Sequence, residues 1–400
     1  MRAILYLFVL IPTLLCAQSV VWNQKSHSDF RATYSVSYSA DGSRVLSSSQ
    51  CTESQIRIWD ATTGQLKWVY EVDPGILCLH AAKFSSNANY FATVDEVGKL
   101  LVFDNTRNIP RLLYDLNTDG RGSFSIDFSP DNQQMVLDGL DGNIRIYDVD
   151  SAYVYKTLIG HKDQVKAVDW SPNGAFIVSG SFDGTMKIWD PNTGKATYTF
   201  TEIKQPIVHV KVSNDNNKII AILETMQLKV YDASGYYMNR LNIDVPYDIH
   251  QVDISFDNKY LAVASAGGAL LYETQTGKLI SRFNVPDGGT TYSLAFHPHS
   301  YDLVTGSENG DVAYWRLNNL NTSVTEIETL EPMRIYPNPA NTYIQLANNS
   351  ATQHVTIVNL TGQVVMQTNT NHTIDVSELS SGLYYVKVNN GQWQTLSIAR

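Results

Sequence analysis

The chain has 400 residues, room for two or more domains, and is 43% hydrophobic but only 17% charged. Its net charge is −10 and its pI about 5.3, with no basic stripe, so nucleic acid is not an expected partner. Three cysteines and nine histidines form no Cys-x-x-Cys or His-Glu-x-x-His pattern, so neither a metal nor another cofactor is expected.

Residues 1–17 place Arg2 ahead of an apolar run from Ala3 to Leu15. That run is too short to cross a bilayer and has the form of a secretory signal peptide, with cleavage expected after Ala17. Ser19 to Trp22 reads as a lone strand. Short apolar runs then alternate with polar turns such as Asp41-Gly42, Asn173-Gly174 and Asp183-Gly184. Asn-Gly and Asp-Gly accept the positive φ of tight hairpins, so this pattern predicts consecutive antiparallel strands and no long helix.

Two markers repeat along residues 18–317. A closing pair recurs at Trp59-Asp60, Phe103-Asp104, Tyr147-Asp148, Trp189-Asp190, Tyr231-Asp232, Tyr272-Glu273 and Trp315-Arg316. A turn after the first strand recurs at Ser39, Ser85, Ser129, Ser171, Ser213, Ser255 and His297. The most complete copy, Gly160 to Asp190, contains Gly160-His161, Ser171-Pro172-Asn173-Gly174, Asp183-Gly184 and Trp189-Asp190 in order. It resembles a WD repeat, the four-stranded blade of a β-propeller. The resemblance implies an all-β fold: a seven-bladed WD-repeat β-propeller over residues 18–317. The seventh copy stops before a fourth strand, so the strand near Val20–Trp22 is expected to complete the last blade and close the ring.

The same resemblance implies a structural hydrogen-bonded tetrad in the fourth copy: His161, Ser179, Asp183 and Trp189. Other copies depart from it, with Tyr147, Thr225, Ala266, Thr305 and Asn309 at tetrad positions. Cys51 in the first blade and Cys78 at the start of the second fall in turns opening on one face. They form either a disulfide or two separate thiols, the second being preferred. His209 and His250, in the first strands of adjacent blades, either face the central channel or pack between blades, the second being preferred.

Residues 318–333 are polar, lack alternation and read as a linker. Residues 334–400 return to alternating apolar residues and glycine turns, the pattern of a small C-terminal β-sandwich. They contain Tyr336-Pro337-Asn338-Pro339, a Thr-Gly-Gln-Val turn at Gly362, and Leu-Ser-Ser-Gly-Leu-Tyr-Tyr around Gly382 and Tyr384. This resembles the C-terminal sorting domain of the type IX (Por) secretion system of Bacteroidetes. It implies a secreted or outer cell-surface protein, the secretion machinery as one partner, and no membrane span after signal cleavage.

No Gly-x-Ser-x-Gly elbow or phosphate cradle occurs. Asp115-x-Asn117-x-Asp119-Gly120 starts like a calcium loop, but Ile126 stands where its last carboxylate belongs. His297-Pro298-His299 occupies a turn. No catalytic residue is assigned, and the chain is not expected to be an enzyme. The expected function is a scaffold for a protein or peptide ligand. Its candidate contacts are loop residues on the face of His161: Phe30, Arg31, Arg121, Lys162, Asp163, Tyr247, Asp248 and Tyr292. The alternatives are an extracellular propeller enzyme acting on glycans or peptides, or a structural component of the cell surface or secretion machinery.

Overall fold

The fold is taken from a computed structural model. It describes residues 17–25, 32–49, 54–72, 78–118, 122–234, 242–245, 247–284, 289–318, 335–336, 339–346, 353–359, 363–370, 373–388 and 394–399. The chain divides into two units, Met1–Leu320 and Asn321–Arg400. Every regular element among the described residues is a β-strand.

The first unit begins with β1 (Ala17–Lys25), set apart from the strands that follow it. The first sheet is then β2 (Thr33–Tyr38), β3 (Arg44–Ser49), β4 (Gln55–Asp60) and β5 (Leu66–Glu71). The second is β6 (Leu79–Phe84), β7 (Tyr90–Asp95), β8 (Lys99–Asp104) and β9 (Arg111–Asn117). The third is β10 (Ile126–Phe128), β11 (Gln134–Leu137), β12 (Ile144–Asp148) and β13 (Val154–Leu158). The fourth is β14 (Val165–Trp170), β15 (Ile177–Ser181), β16 (Met186–Trp189) and β17 (Ala196–Phe200). The fifth is β18 (Ile207–Val212), β19 (Lys218–Leu223), β20 (Gln227–Asp232) and β21 (Asn242–Asp244). The sixth is β22 (Ile249–Ile254), β23 (Tyr260–Ser265), β24 (Gly268–Glu273) and β25 (Leu279–Phe283). The last sheet, β26 (Thr291–Phe296), β27 (Leu303–Ser307) and β28 (Asp311–Asn318), takes β1 as its fourth strand.

Each sheet is a meander because its connections are too short for anything but antiparallel neighbours. The recurring serine holds the first hairpin. Ser39, Ser85, Ser129, Ser171, Ser213 and Ser255 are all buried. Each hydroxyl accepts the N–H five residues on, at 2.9–3.0 Å. Ser39, Ser129, Ser213 and Ser255 also donate to the aspartate two residues on.

The first strands of successive sheets lie side by side, and β26 returns to β2, so the sheets form a closed ring around a channel. Between each pair lies an apolar layer, for example Leu46, Ile56 and Ile58 against Leu79 and Phe91. A single sheet cannot bury its own faces, so these layers supply most of the driving force.

At the seam, β1 pairs antiparallel with β28 from Ala17↔Asn318 to Lys25↔Asp311. Trp22 donates its indole N–H to Ala61 O at 2.8 Å. Gly64, at φ +71°, allows this approach, since a Cβ there would lie 2.7 Å from the indole. Lys25 pairs with the fully buried Asp311 at 2.9 Å.

The second unit has one three-stranded and one four-stranded sheet. The first contains β29 (Ile335–Tyr336), β30 (Tyr343–Leu346) and β33 (Thr373–Asp375). The second runs β32 (Val364–Thr370), β31 (Gln353–Asn359), β34 (Gly382–Val388) and β35 (Gln394–Ile398). Ile344, Val355, Ile357, Ile374, Val386, Leu396 and Ile398 share one core. Tyr384 is buried and donates its hydroxyl to Ser380 O at 2.9 Å.

Candidate functional site at the channel mouth

Six of the inner strands begin with the same irregularity. Their ladders skip one residue between Thr33/Ser35, Leu79/Ala81, Val165/Ala167, Ile207/His209, Ile249/Gln251 and Thr291/Ser293. The skipped residues are Tyr34, His80, Lys166, Val208, His250 and Tyr292. A bulge leaves one residue out of pairing and re-aims its side chain. Because the inner strands run in one direction, all six collect at one end of the channel. Phe124, just ahead of β10, joins them, and all seven line a cavity of about 500 Å³.

Their rings form a continuous arc. Centroids are 4.7 Å apart for His250–Tyr292, 5.1 Å for Tyr292–Tyr34, 5.2 Å for Tyr34–His80 and 4.5 Å for His80–Phe124. The Lys166 ammonium then sits 3.6 Å from the centre of the Phe124 ring and 5.2 Å from that of Phe182. All the collar side chains are only partly buried.

Carboxylates surround this collar. Glu96 lies 3.4 Å from His80 Nε2. Glu308 acts on Tyr34, Tyr292 and His250, and Asp248 on His250. Burial lowers the pKa of His80 and of His250, and the neighbouring carboxylates only partly offset it. Both imidazoles are therefore neutral at neutral pH. His250 Nε2 is buried and has no hydrogen-bond partner among the described residues.

Three residues deeper on the inner strands is a charged belt. Lys83 lies 2.6 Å from Asp127 and 3.7 Å from Asp169, and Lys211 lies 3.1 Å from Asp169. The second oxygens of these carboxylates accept N–H groups from the next sheet, Trp170 N–H on Asp127 and Val212 N–H on Asp169. Asp253 accepts Phe296 N–H in the same way. These groups staple sheet to sheet and leave little capacity for a ligand.

The tetrad residues meet in the fourth sheet. Trp189 donates its indole N–H to Ser179 Oγ at 2.8 Å, and His161 Nε2 lies 2.7 Å from the same oxygen. His161 Nδ1 lies 2.9 Å from Asp183. Burial would raise the Asp183 carboxyl, but donors from Thr185, Lys162 N–H and His161 outweigh it and hold it at about 2. The indole bond also occurs in the first and seventh sheets, from Trp59 to Ser47 and from Trp315 to Thr305.

Among the described residues, the expected loop contacts fall in different settings. Phe30, Arg31 and Arg121 lie outside the described residues. Tyr292 belongs to the collar. Lys162 and Asp163 are exposed in the loop ahead of β14. Tyr247 packs against Gly267 and under the Arg282 guanidinium, 4.9 Å away, so it supports its own sheet. Asp248 is exposed beside His250. His209 bonds through Nε2 to Val252 O of the next sheet, as expected for packing between blades. His250 does not follow that expectation, because the bulge at its position turns it to the channel.

Cys78 is disulfide-bonded, which overturns the preference for separate thiols; Cys51 lies outside the described residues. Asp115 sits on β9 and pairs with Lys99, while Asp119 and Gly120 lie outside the described residues. In the tail, Pro337, Asn338 and Gly362 also lie outside them, Pro339 is exposed, and Gly382 opens β34. Tyr336 lies in β29.

Comparison with known proteins agrees with this architecture. The model of the WD domain, G-beta repeat, matches residues 18–60, 153–190 and 277–316. That of the secretion system C-terminal sorting domain matches residues 334–397. The chain thus has the β-propeller fold of WD repeats and carries a C-terminal secretion sorting domain. That domain marks it for type IX secretion to the cell surface or extracellular space. The chain is also similar to Protein NEDD1 of Homo sapiens, 24% identical over 278 residues, which are 68% of this chain and 42% of that protein. The Mus musculus protein is 25% identical over 281 residues, with the same shares covered. The match therefore spans less than half the length of these relatives.

Proposed function

We propose that this protein is an exported scaffold that holds a protein or peptide partner at the channel mouth, through a basic side chain of that partner. The observation that carries this reading is the collar. Half-buried aromatic residues are favoured contact types, and a ring face attracts cations. Glu96, Glu308 and Asp248 add negative charge, while His80 and His250 add none at neutral pH. His250 Nε2, which has no hydrogen-bond partner among the described residues, supplies a hydrogen-bonding point. WD repeats favour a protein partner, and the sorting domain supports a second engagement with the secretion machinery.

The test is capture of partners from cell-surface and medium fractions by the full chain and by a Tyr34→Ala/Tyr292→Ala double variant. The expected result is a captured protein that the variant loses by at least about tenfold, with release by a basic peptide. Equal capture by both chains would remove the collar from the reading. Turnover of a glycan or peptide by the wild type would favour an enzyme instead.

A further inference from the structure

Two residues of the collar's surroundings, His80 and Glu96, also lie beside a cysteine. Cys78 stands immediately before β6, His80 is the bulged residue of that strand, and Glu96 lies in the turn between β7 and β8. One ligand atom from each lies within 4.8 Å of the other two. The β6–β7 ladder fixes this spacing, since Leu79 pairs with Asp95 and places its two neighbours beside Glu96. His80 is further held between Tyr34 and Phe124.

A thiolate, an imidazole and a carboxylate are the ligand types of zinc, and three of them leave a fourth position open. In the present state Cys78 is in a disulfide, whose sulfur carries no anionic charge to give a metal. We propose that Cys78, His80 and Glu96 form a zinc-class metal site that opens when this disulfide is reduced. Two equivalents of a thiol reductant convert the disulfide to two cysteine thiols and become one reductant disulfide. The Cys78 thiol then gives up its proton as the sulfur binds the metal. His80 contributes a ring nitrogen and Glu96 a carboxylate oxygen, so the site needs no rearrangement of the ladder. Metal and disulfide compete for the same sulfur, and the redox state of Cys78 decides which is present.

The test uses the full chain with Co²⁺ as the probe, without oxygen, before and after reduction by a phosphine. The expected result is a thiolate-to-cobalt absorption band that saturates at one equivalent in the reduced chain and is absent from the oxidised chain. The band should persist in reduced Cys51→Ser and vanish in reduced Cys78→Ser, His80→Ala and Glu96→Gln, with the β-sheet circular dichroism retained. His80→Ala and Glu96→Gln leave the cysteines untouched and separate ligand loss from disulfide loss. Absence of the band from the reduced chain overturns the proposal. So does a band that survives Cys78→Ser or His80→Ala, or one that is lost in Cys51→Ser.

Discussion

Trp22 stacks on Tyr314 with ring centroids 5.8 Å apart and planes 12° from parallel. One residue belongs to β1 and the other to β28, the strand it pairs with. Both sit in the apolar layer with Val36, Trp59 and Val312. Trp22→Ala should therefore cost about 3–5 kcal/mol, the usual loss for a buried large aromatic. Val21 on the same strand is exposed, and Val21→Ala should stay within about 0.5 kcal/mol. Urea unfolding of both variants measures the contrast; equal losses would mean that β1 does not hold the seam through Trp22.

The tetrad offers a graded comparison. Ser179→Ala leaves two buried groups, the Trp189 N–H and His161 Nε2, without their shared partner. Thr305→Val leaves only the Trp315 N–H. At about 1–3 kcal/mol per stranded buried group, the first change should cost roughly twice the second. Denaturant midpoints with unchanged m-values read this directly.

The charged belt predicts a rescue. Asp169 accepts Lys211 and the Val212 N–H, and lies 3.7 Å from Lys83. Asp169→Ala strands Lys211 deep in the channel and should cost about 3–5 kcal/mol. Adding Lys211→Met removes the orphaned charge and should recover part of that loss. A double variant no more stable than Asp169→Ala would show that the missing N–H acceptor, not the charge, sets the cost.

Asp138 predicts a pH dependence. It is buried and accepts Ser123 Oγ, Phe124 N–H at 2.9 Å and Ser125 N–H at 3.0 Å. Burial nonetheless pushes its carboxyl up from 3.8 to about 7, more than these donors pull it down. Between those values the unfolded chain has lost a proton that the folded chain keeps. This contribution is complete below about pH 4 and falls by about 1.4 kcal/mol per pH unit until about pH 7. Asp138→Asn should flatten that slope. Asp41, Asp141, Asp183 and Asp257, all lowered to about 2, act oppositely and only below that window. Urea midpoints at pH 5 and pH 7.5 for wild type and variant decide the matter.

Repeat markers were legible because their causes are local. The serine turn and the tetrad satisfy hydrogen bonds within a single repeat, so their residues recur at fixed spacing. The last sheet's borrowed strand was legible because the seventh copy stopped short. The collar was not. Its residues come one from each sheet, and a bulge removes them from the alternation that tells inside from outside. His250 reads as an interior residue by its neighbours Ile249 and Val252, yet it faces the channel. From Phe124 to Tyr292 the collar positions do recur every 42 residues, a signal that side-chain type conceals. Tyr247 misled in the opposite direction: it follows a loop, but Gly267 gives its ring a seat.

The pairing of β1 with β28 also sets an order of events. Two strands separated by nearly the whole ring must meet, and the entropy of closing so long a loop is spent before any of its contacts form. Neighbouring sheets can stack as they are made, but the final fit waits for Asp311–Asn318. Without that pairing, the first and last sheets of the ring would each present an unsatisfied strand edge. With it, the sheets of the first unit make a hoop in which β1 is locked against β28. Whatever carries this protein outward meets a different object on either side of that moment.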